Sequence, residues 1–129
     1  MARPAASQPT EVELQILAIL WQQGAATARE IHNEIVLDRE INYSTTVKML
    51  AVMLEKSLVN KDDSVRPQLF SAATTQKRTQ SRLLRDLVQR AYDGSTGSLV
   101  LQALSSKRAT KEELAEIRQL LDQLEGNQG

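Results

Sequence analysis

The chain of 129 residues contains no cysteine and a single histidine, His32. Without cysteine, disulfide bonds, thiolate metal sites and cysteine nucleophiles are all excluded. One histidine leaves a histidine-based metal cluster or a catalytic triad without the partners it needs. The sequence has no glycine-rich phosphate-binding loop either. It therefore predicts a protein that is not an enzyme and that uses no cofactor or metal.

Long apolar runs are also missing, since no stretch reaches the roughly 18 apolar residues that a membrane-spanning helix needs. Residues 1–7 lack the hydrophobic segment of a signal peptide. We therefore expect no membrane insertion and a cytoplasmic location. Aromatic residues make up only 3% of the chain, and the apolar content is mostly Leu, Ile, Val and Ala. This composition favours a mainly α fold.

An excess of positive charge is absent as well, because the chain has 16 Lys or Arg and 16 Asp or Glu. Residues 1–73 carry seven basic and nine acidic residues, a net of −2, whereas residues 74–97 carry five and two, a net of +3. Nonspecific nucleic-acid binders normally need a strong positive excess, because counterion release supplies most of their affinity. If this chain binds DNA, it should do so as a dimer at a defined sequence.

Two N-terminal helices are predicted from capping boxes, in which a Thr and a Glu three residues later bond to each other's backbone N–H. Thr10 and Glu13 form the first box, and the apolar pattern that follows predicts a helix to about Gln23, ended by Gly24. Thr27 opens the second helix, which runs to about residue 37. A free helix N-terminus attracts phosphate, so Thr27 is a candidate for contact with a DNA backbone.

The stretch 42–56 is interpreted as the recognition helix of a helix-turn-helix. Its apolar residues at i, i+3, i+4 and i+7 predict one buried face, formed by Val47, Leu50, Ala51 and Leu54. Hydroxyl groups and an amine near its start can bond to phosphates and base edges in a major groove. These candidate DNA-binding residues are Tyr43, Ser44, Thr45, Thr46 and Lys48.

Two short apolar segments, 58–61 and 68–72, flank a polar turn and predict a β-hairpin. A hairpin that directly follows a helix-turn-helix is typical of a wing. Arg66 near its tip is a candidate for a phosphate or minor-groove contact, with a solvated loop arginine as the alternative.

Helical patterns return after residue 74, with a glycine-containing hinge near residues 93–97. The short helices expose more leucine than one thin arm can cover, which predicts that a second copy covers it. The basic stretch 77–90 is either a solvated face of a connecting helix or a supplementary contact, to phosphate or to an acidic partner surface. The candidate dimerisation residues are Leu83, Leu87, Leu99, Leu101, Leu104, Leu114, Ile117, Leu121 and Leu124.

The predicted fold class is therefore mainly α with a small β-hairpin. Residues 1–9 are predicted to be a disordered arm, residues 10–73 a winged helix-turn-helix DNA-binding domain, and residues 74–129 a helical dimerisation region.

From Pro9 to about Glu125 the chain resembles the penicillinase-repressor family, the BlaI/MecI/CopY type of bacterial repressor. The likeness is carried by segments 13–21, 26–32, 43–50, 53–59 and 98–104. The resemblance implies a winged helix that binds operator DNA, a helical region that forms a homodimer, and DNA contacts at Thr45, Thr46 and Lys48. It also implies release through a membrane-bound sensor protease pathway.

The sequence departs from the family pattern in three ways, and each bears on a property that the resemblance would imply. The stretch 92–97 lacks the Asn-Phe bond that is cleaved in well-known members, and the absence of cysteine excludes copper sensing through C-terminal thiolates. Ser57 and Val65 replace glycines that commonly precede and turn the wing.

The favoured hypothesis is a homodimeric repressor that binds a palindromic double-stranded operator. The alternative is a winged-helix module that binds proteins and never contacts DNA.

Overall fold

A computed structural model describes residues 8–128, whose contacts form two compact units that divide after Leu84. The elements are α1 (Glu11–Gln23), α2 (Ala28–Ile35), α3 (Tyr43–Glu55), β1 (Val59–Asp62), β2 (Leu69–Ala72), α4 (Gln76–Ala91), α5 (Thr96–Ser106) and α6 (Lys111–Gln128). The predicted fold class, a winged helix-turn-helix followed by a helical region, is confirmed. The division between the two units lies inside α4, whereas the sequence placed a boundary between residues 73 and 74. Residues 1–7 of the predicted N-terminal arm lie outside the described residues.

Local sequence determines where the helices begin. Thr10 Oγ1 accepts the N–H of Glu13 at 3.2 Å, and Glu13 Oε1 accepts the N–H of Thr10 at 2.9 Å. The same reciprocal pair opens α2 at Thr27 and precedes α6 at Thr110. The predicted capping boxes are confirmed, and each satisfies two backbone N–H groups that a helix start leaves without partners.

Helix ends require backbone conformations that most residues avoid. Gly24 closes α1 at φ 83° and ψ −155°, a region open essentially only to glycine. After α3, Ser57 adopts φ 63°, and the N–H groups of Ser57 and Leu58 donate to the carbonyls of Leu54 and Met53. This is a Schellman motif, which normally places glycine at the left-handed position. Ser57 therefore occupies the left-handed position that this motif normally gives to glycine.

Ser57→Gly should raise the free energy of unfolding by about 0.5–1 kcal/mol, because relief of the left-handed strain outweighs the greater entropy of glycine in the unfolded chain. Urea unfolding followed by circular dichroism measures the change. Ser57→Ala keeps the Cβ atom and serves as the control, with little expected gain. Equal stabilisation by both substitutions would contradict strain as the cause.

The core of the N-terminal unit lies where α1, α2 and α3 pack against the hairpin. Its side chains come from every one of these elements, so each helix is fixed by contacts distant in sequence. The buried hydrophobic residues are Ile16, Leu17, Leu20, Ala26, Ile31, Ile35, Leu50, Met53, Leu58, Val59 and Phe70. Burial of each large aliphatic side chain contributes roughly 1.5–3 kcal/mol, which makes this cluster the main stabilising feature of the unit.

The wing is an antiparallel pair in which Val59 lies opposite Ala72 and Asp62 lies opposite Leu69. A third segment joins it, because the backbone of Ala26 exchanges two hydrogen bonds with Phe70, at 2.9 and 2.8 Å. This bridge attaches the α1–α2 connection to the wing. After β2, the indole Nε1 of Trp21 donates to the carbonyl of Thr74 at 2.8 Å, which ties α1 to the segment that leads into α4.

The C-terminal unit has almost no core of its own. Val88 is its one buried hydrophobic residue among those described. The helical structure is interrupted between α4 and α5. There Asp93 and Gly94 have positive φ, and the Ser95 hydroxyl accepts the N–H of Ser98. A groove of about 700 Å³ separates α5 from α6, with Leu104, Ile117 and Leu120 among its lining residues. Within residues 8–128, no helix is both long and apolar enough to cross a membrane.

Candidate nucleic-acid interface

Helix α3 has a buried side and a solvent-facing side. Thr46, Leu50 and Met53 are buried, at i, i+4 and i+7. The solvent-facing side carries Ser44, Val47, Lys48 and Ala51, also at helical spacing. The sequence had assigned Val47 and Ala51 to the buried face. That assignment is wrong, because Val47 is 42% exposed and Ala51 is also exposed.

Thr46 is buried because its hydroxyl has a partner inside the protein. His32 Nδ1 lies 2.8 Å from Thr46 Oγ1, and the threonine side chain is fully inaccessible. A buried polar group is tolerated when it is hydrogen-bonded, so this pair allows Thr46 to lie on the buried side of α3 together with Leu50 and Met53. The prediction that the Thr46 side chain contacts DNA must be corrected, since its hydroxyl faces α2. His32 is a satisfied, buried histidine.

The start of α3 presents hydroxyl oxygens as acceptors. Asn42 is the N-cap, and its Oδ1 accepts from the Thr45 N–H and the Thr45 hydroxyl at 2.9 Å and from the Ser44 hydroxyl at 2.8 Å. Because both hydroxyl protons point at Asn42, the lone pairs of Ser44 and Thr45 remain for donors outside the helix. The exocyclic amines of adenine and cytosine are such donors in a major groove.

One turn further along, α3 exposes a long cation beside a small apolar surface. Lys48 is exposed, and no carboxylate among the described residues lies within 4.0 Å of its amine. Val47 adjoins it in sequence and is also exposed. A lysine can donate to guanine O6 and N7, and a valine can contact a thymine methyl group. This face therefore combines acceptors, a donor and an apolar group.

The first turn of α2 lies beside the wing and the start of α3. Thr27, Ala28, Arg29, Tyr43, Arg66, Pro67, Gln68 and Phe70 line a cleft of about 300 Å³, called here the α2–wing cleft. The structure thus brings together three predicted DNA-binding residues, Thr27, Tyr43 and Arg66. The polar groups of this cleft come from the start of α2, the start of α3 and the turn of the wing.

Asp62, the acidic residue that ends β1, is fully exposed. Ser64 donates its hydroxyl to Asp62 Oδ1 at 2.5 Å and its N–H to the same oxygen at 3.0 Å. These bonds, the hydroxyl first, hold the pKa of Asp62 below its usual value. Asp62 therefore stays ionised at neutral pH, and it lies between the two basic residues of the wing, Lys61 and Arg66, in the sequence.

Comparison with known proteins identifies the family. The family described as penicillinase repressor matches residues 9–123, which is most of the chain. The chain belongs to the penicillinase repressor family. The family is one of transcriptional repressors and not of enzymes. The resemblance carried by the sequence segments is thereby confirmed.

Relatives within the penicillinase repressor family are similar over almost their whole length but at low identity. A penicillinase repressor of Bacillus licheniformis is 21% identical over 116 residues, covering 90% of this chain and 91% of the relative. A penicillinase repressor of Staphylococcus aureus is 20% identical over 112 residues, covering 87% and 89%. The methicillin resistance regulatory protein MecI of Mammaliicoccus sciuri is 19% identical over 113 residues, covering 88% and 92%.

For this penicillinase-repressor family chain, sequence reasoning missed three residues of the candidate interface. Arg29 lies over the ring of Tyr43, Asn42 caps α3, and Val47 faces solvent. Asn42 was detectable, because an asparagine before a helix is a typical N-cap. Arg29 follows the predicted cap Thr27 by two residues, but its contact with Tyr43 depends on the packing of α2 against α3. Nothing in the local pattern distinguished Val47 from a core residue.

Proposed function

We propose that the chain is a sequence-specific DNA-binding transcriptional repressor that acts as a homodimer on a palindromic operator. The exposed face of α3 enters the major groove, and the α2–wing cleft lies against the backbone. The observation that carries this proposal is the composition of that face: Ser44, Thr45, Val47 and Lys48 offer acceptors, an apolar group and a donor together. The buried His32–Thr46 bond supports it by allowing Thr46 to lie on the buried side of the helix.

The dimer is supported by the apolar surface of the C-terminal helices. None of the nine predicted dimerisation residues is buried in one copy of the chain, and Leu101 is 69% exposed. Large exposed apolar patches are unusual on a monomer and indicate an interaction surface. A two-fold symmetric pair then requires half-sites separated by a whole number of DNA turns, about 10 base pairs or a multiple of this.

Repression follows from occupancy of the operator, and release requires an upstream signal that weakens the bound dimer. A membrane sensor protease pathway is one source of such a signal. Cleavage at an Asn-Phe bond is not part of this proposal, because the stretch 92–97 contains neither asparagine nor phenylalanine.

A second candidate function is a winged-helix module that binds proteins. The net charge of −2 over residues 1–73 favours it, because phosphates attract a basic surface. The two candidates differ in one experiment, a gel shift and footprint on the DNA upstream of the protein's own gene at two salt concentrations. A two-fold symmetric footprint that weakens with salt supports the repressor. A folded dimer that binds no DNA at low salt would support the protein-binding module.

Lys48→Ala should weaken binding to that operator by about 1–3 kcal/mol without unfolding the chain, because the variant loses a donor to a base edge. Fluorescence anisotropy on the operator and on a scrambled duplex measures the effect. Lys111→Ala removes the same charge from an exposed position at the start of α6 and is the control. An equal loss on both duplexes would assign Lys48 to a phosphate instead of a base.

A further inference from the structure

We infer that Arg29 binds a phosphate of the DNA backbone in the α2–wing cleft and that Tyr43 is the positioning residue that orients it. The inference rests on the proposed function and assigns a role in DNA binding to a side chain outside the exposed face of α3. It gives the protein a backbone contact on each copy that is independent of base sequence.

Arg29 is held by a stacking contact and not by an ion pair. Its guanidinium carbon lies 3.8 Å from the centre of the Tyr43 ring. Such a cation–π contact fixes the guanidinium while leaving its N–H groups available. An arginine that is oriented in advance loses less side-chain entropy when it binds a phosphate, and it can donate two parallel hydrogen bonds.

Tyr43 also contacts a buried residue of α2, His32. The His32 ring meets it edge-on, with ring centres 5.5 Å apart and an angle of 82° between planes. His32 in turn bonds to Thr46 at 2.8 Å in the core. Arg29, Tyr43, His32 and Thr46 therefore form a column from the surface to the buried side of α3. Because Thr46 lies on the buried side of α3, the column connects the position of Arg29 to the packing of that helix.

The charges around the cleft leave its cations available for an anion. Within residues 8–128, neither Arg29 nor Arg66 has a carboxylate oxygen within 4.0 Å. The nearest acid in sequence, Glu30, uses its carboxylate to accept the N–H of Thr27 at 2.8 Å. Two arginines from different elements thus line one concavity without an internal counterion. Uncompensated cations in a concave site raise the local concentration of anions.

The size of the cleft favours a segment of backbone over a small free anion. At about 300 Å³ it has room for a phosphate with its attached sugar. Pro67 also lines it, and this exposed proline offers apolar surface that suits a deoxyribose and not an inorganic ion. The ligand assigned to the cleft is therefore one phosphodiester unit of duplex DNA.

The test is a salt titration of DNA binding by Arg29→Ala, with the full chain as a dimer. We expect a loss of about tenfold in affinity that is the same on the operator and on scrambled DNA, and a salt dependence of log K that is less steep by about one. Arg118→Ala on α6 removes the same charge from an exposed position and should leave both quantities unchanged. Circular dichroism and sedimentation confirm that each variant is folded and dimeric.

A second pair of variants tests the stack. Tyr43→Phe keeps the ring and should bind within about twofold of the unchanged chain, whereas Tyr43→Leu should lose nearly as much affinity as Arg29→Ala. The double variant Arg29→Ala/Tyr43→Leu should lose little more than either single variant, because the two residues act as one unit. Fully additive losses would overturn the positioning role of Tyr43.

The outcomes separate this inference from the proposed function. If the unchanged chain binds no DNA, the proposed function fails and the assignment of Arg29 fails with it. If the chain binds its operator and Arg29→Ala matches Arg118→Ala, only the Arg29 inference is overturned. A loss confined to the operator, with an unchanged salt slope, would make Arg29 a base contact and would also overturn the phosphate assignment.

Discussion

The double substitution Leu121→Glu/Leu124→Glu is expected to convert the dimer into monomers, raising its dissociation constant at least about 1000-fold. Each leucine is about half exposed in the single chain, at 51% and 49%, so a partner can bury the remainder. The dimer contains four of these leucine side chains, and each substitution removes about 1 kcal/mol of hydrophobic burial free energy, half the value for complete burial. A loss of about 4 kcal/mol corresponds to three orders of magnitude in affinity. Sedimentation velocity over a range of protein concentrations measures the change.

Gln119→Glu/Gln123→Glu is the matched control, since it adds the same charge to α6 at exposed positions on the opposite side of the helix. This control should remain a dimer. The monomeric variant should also lose operator affinity, because one copy contacts only one half-site. If both double variants remain dimers at the same concentration, α6 does not form the interface and the assignment of Leu121 and Leu124 to it is overturned.

Lys56→Ala is expected to lower the free energy of unfolding by about 2–3 kcal/mol, because it leaves the buried carboxylate of Glu13 without its cation. Lys56 Nζ lies 2.8 and 3.1 Å from the two oxygens of Glu13. The side chains are only 21% and 6% exposed, so solvent screens the pair weakly. Urea unfolding of the two proteins, with circular dichroism as the readout, measures the difference.

The variant Glu13→Gln/Lys56→Met tests whether a buried, uncompensated carboxylate causes the loss of stability. Glutamine keeps an acceptor for the Thr10 N–H, and methionine keeps an apolar side chain of similar length, so no buried charge remains. The double variant should recover at least half of the stability that Lys56→Ala loses. If it is less stable than Lys56→Ala, the uncompensated carboxylate is not the cause of the loss, because the double variant contains no buried charge at this place.

Features set by neighbouring residues could be predicted from the sequence. The boxes at Thr10, Thr27 and Thr110 depend on partners three residues away, and all three occur. The glycine at the end of α1 and the two apolar segments on either side of the polar turn of the wing were likewise readable from residue type. This local information was sufficient to recover the helix-turn-helix and the hairpin.

The rotation of α3 could not be predicted in the same way. A buried threonine violates the apolar pattern, and the pattern instead fits Val47, Leu50, Ala51 and Leu54. The threonine is buried because His32, fourteen residues earlier, supplies its hydrogen bond. A contact of this kind is invisible to periodicity, so the sequence placed Val47 inside and Thr46 outside.

Contacts across longer separations were equally inaccessible. The pairing of Lys56 with Glu13 joins residues 43 apart, and the bridge from Ala26 to Phe70 adds a third segment to a sheet predicted as two strands. Arg29 became a candidate only when α2 was seen to bring it over Tyr43. Sequence reasoning therefore identified the elements of the candidate interface, while tertiary packing decided which side chains they present.

The hydrogen bond from Trp21 to the carbonyl of Thr74 has a practical consequence. Trp21 is the one tryptophan of the chain, so the intrinsic fluorescence of the protein comes from a single indole at the junction between α1 and the segment that leaves the wing. Opening of that junction would expose the indole to water and shift its emission to longer wavelength. A titration with operator DNA can therefore report, without any added label, whether the contact between Trp21 and Thr74 persists when the protein binds.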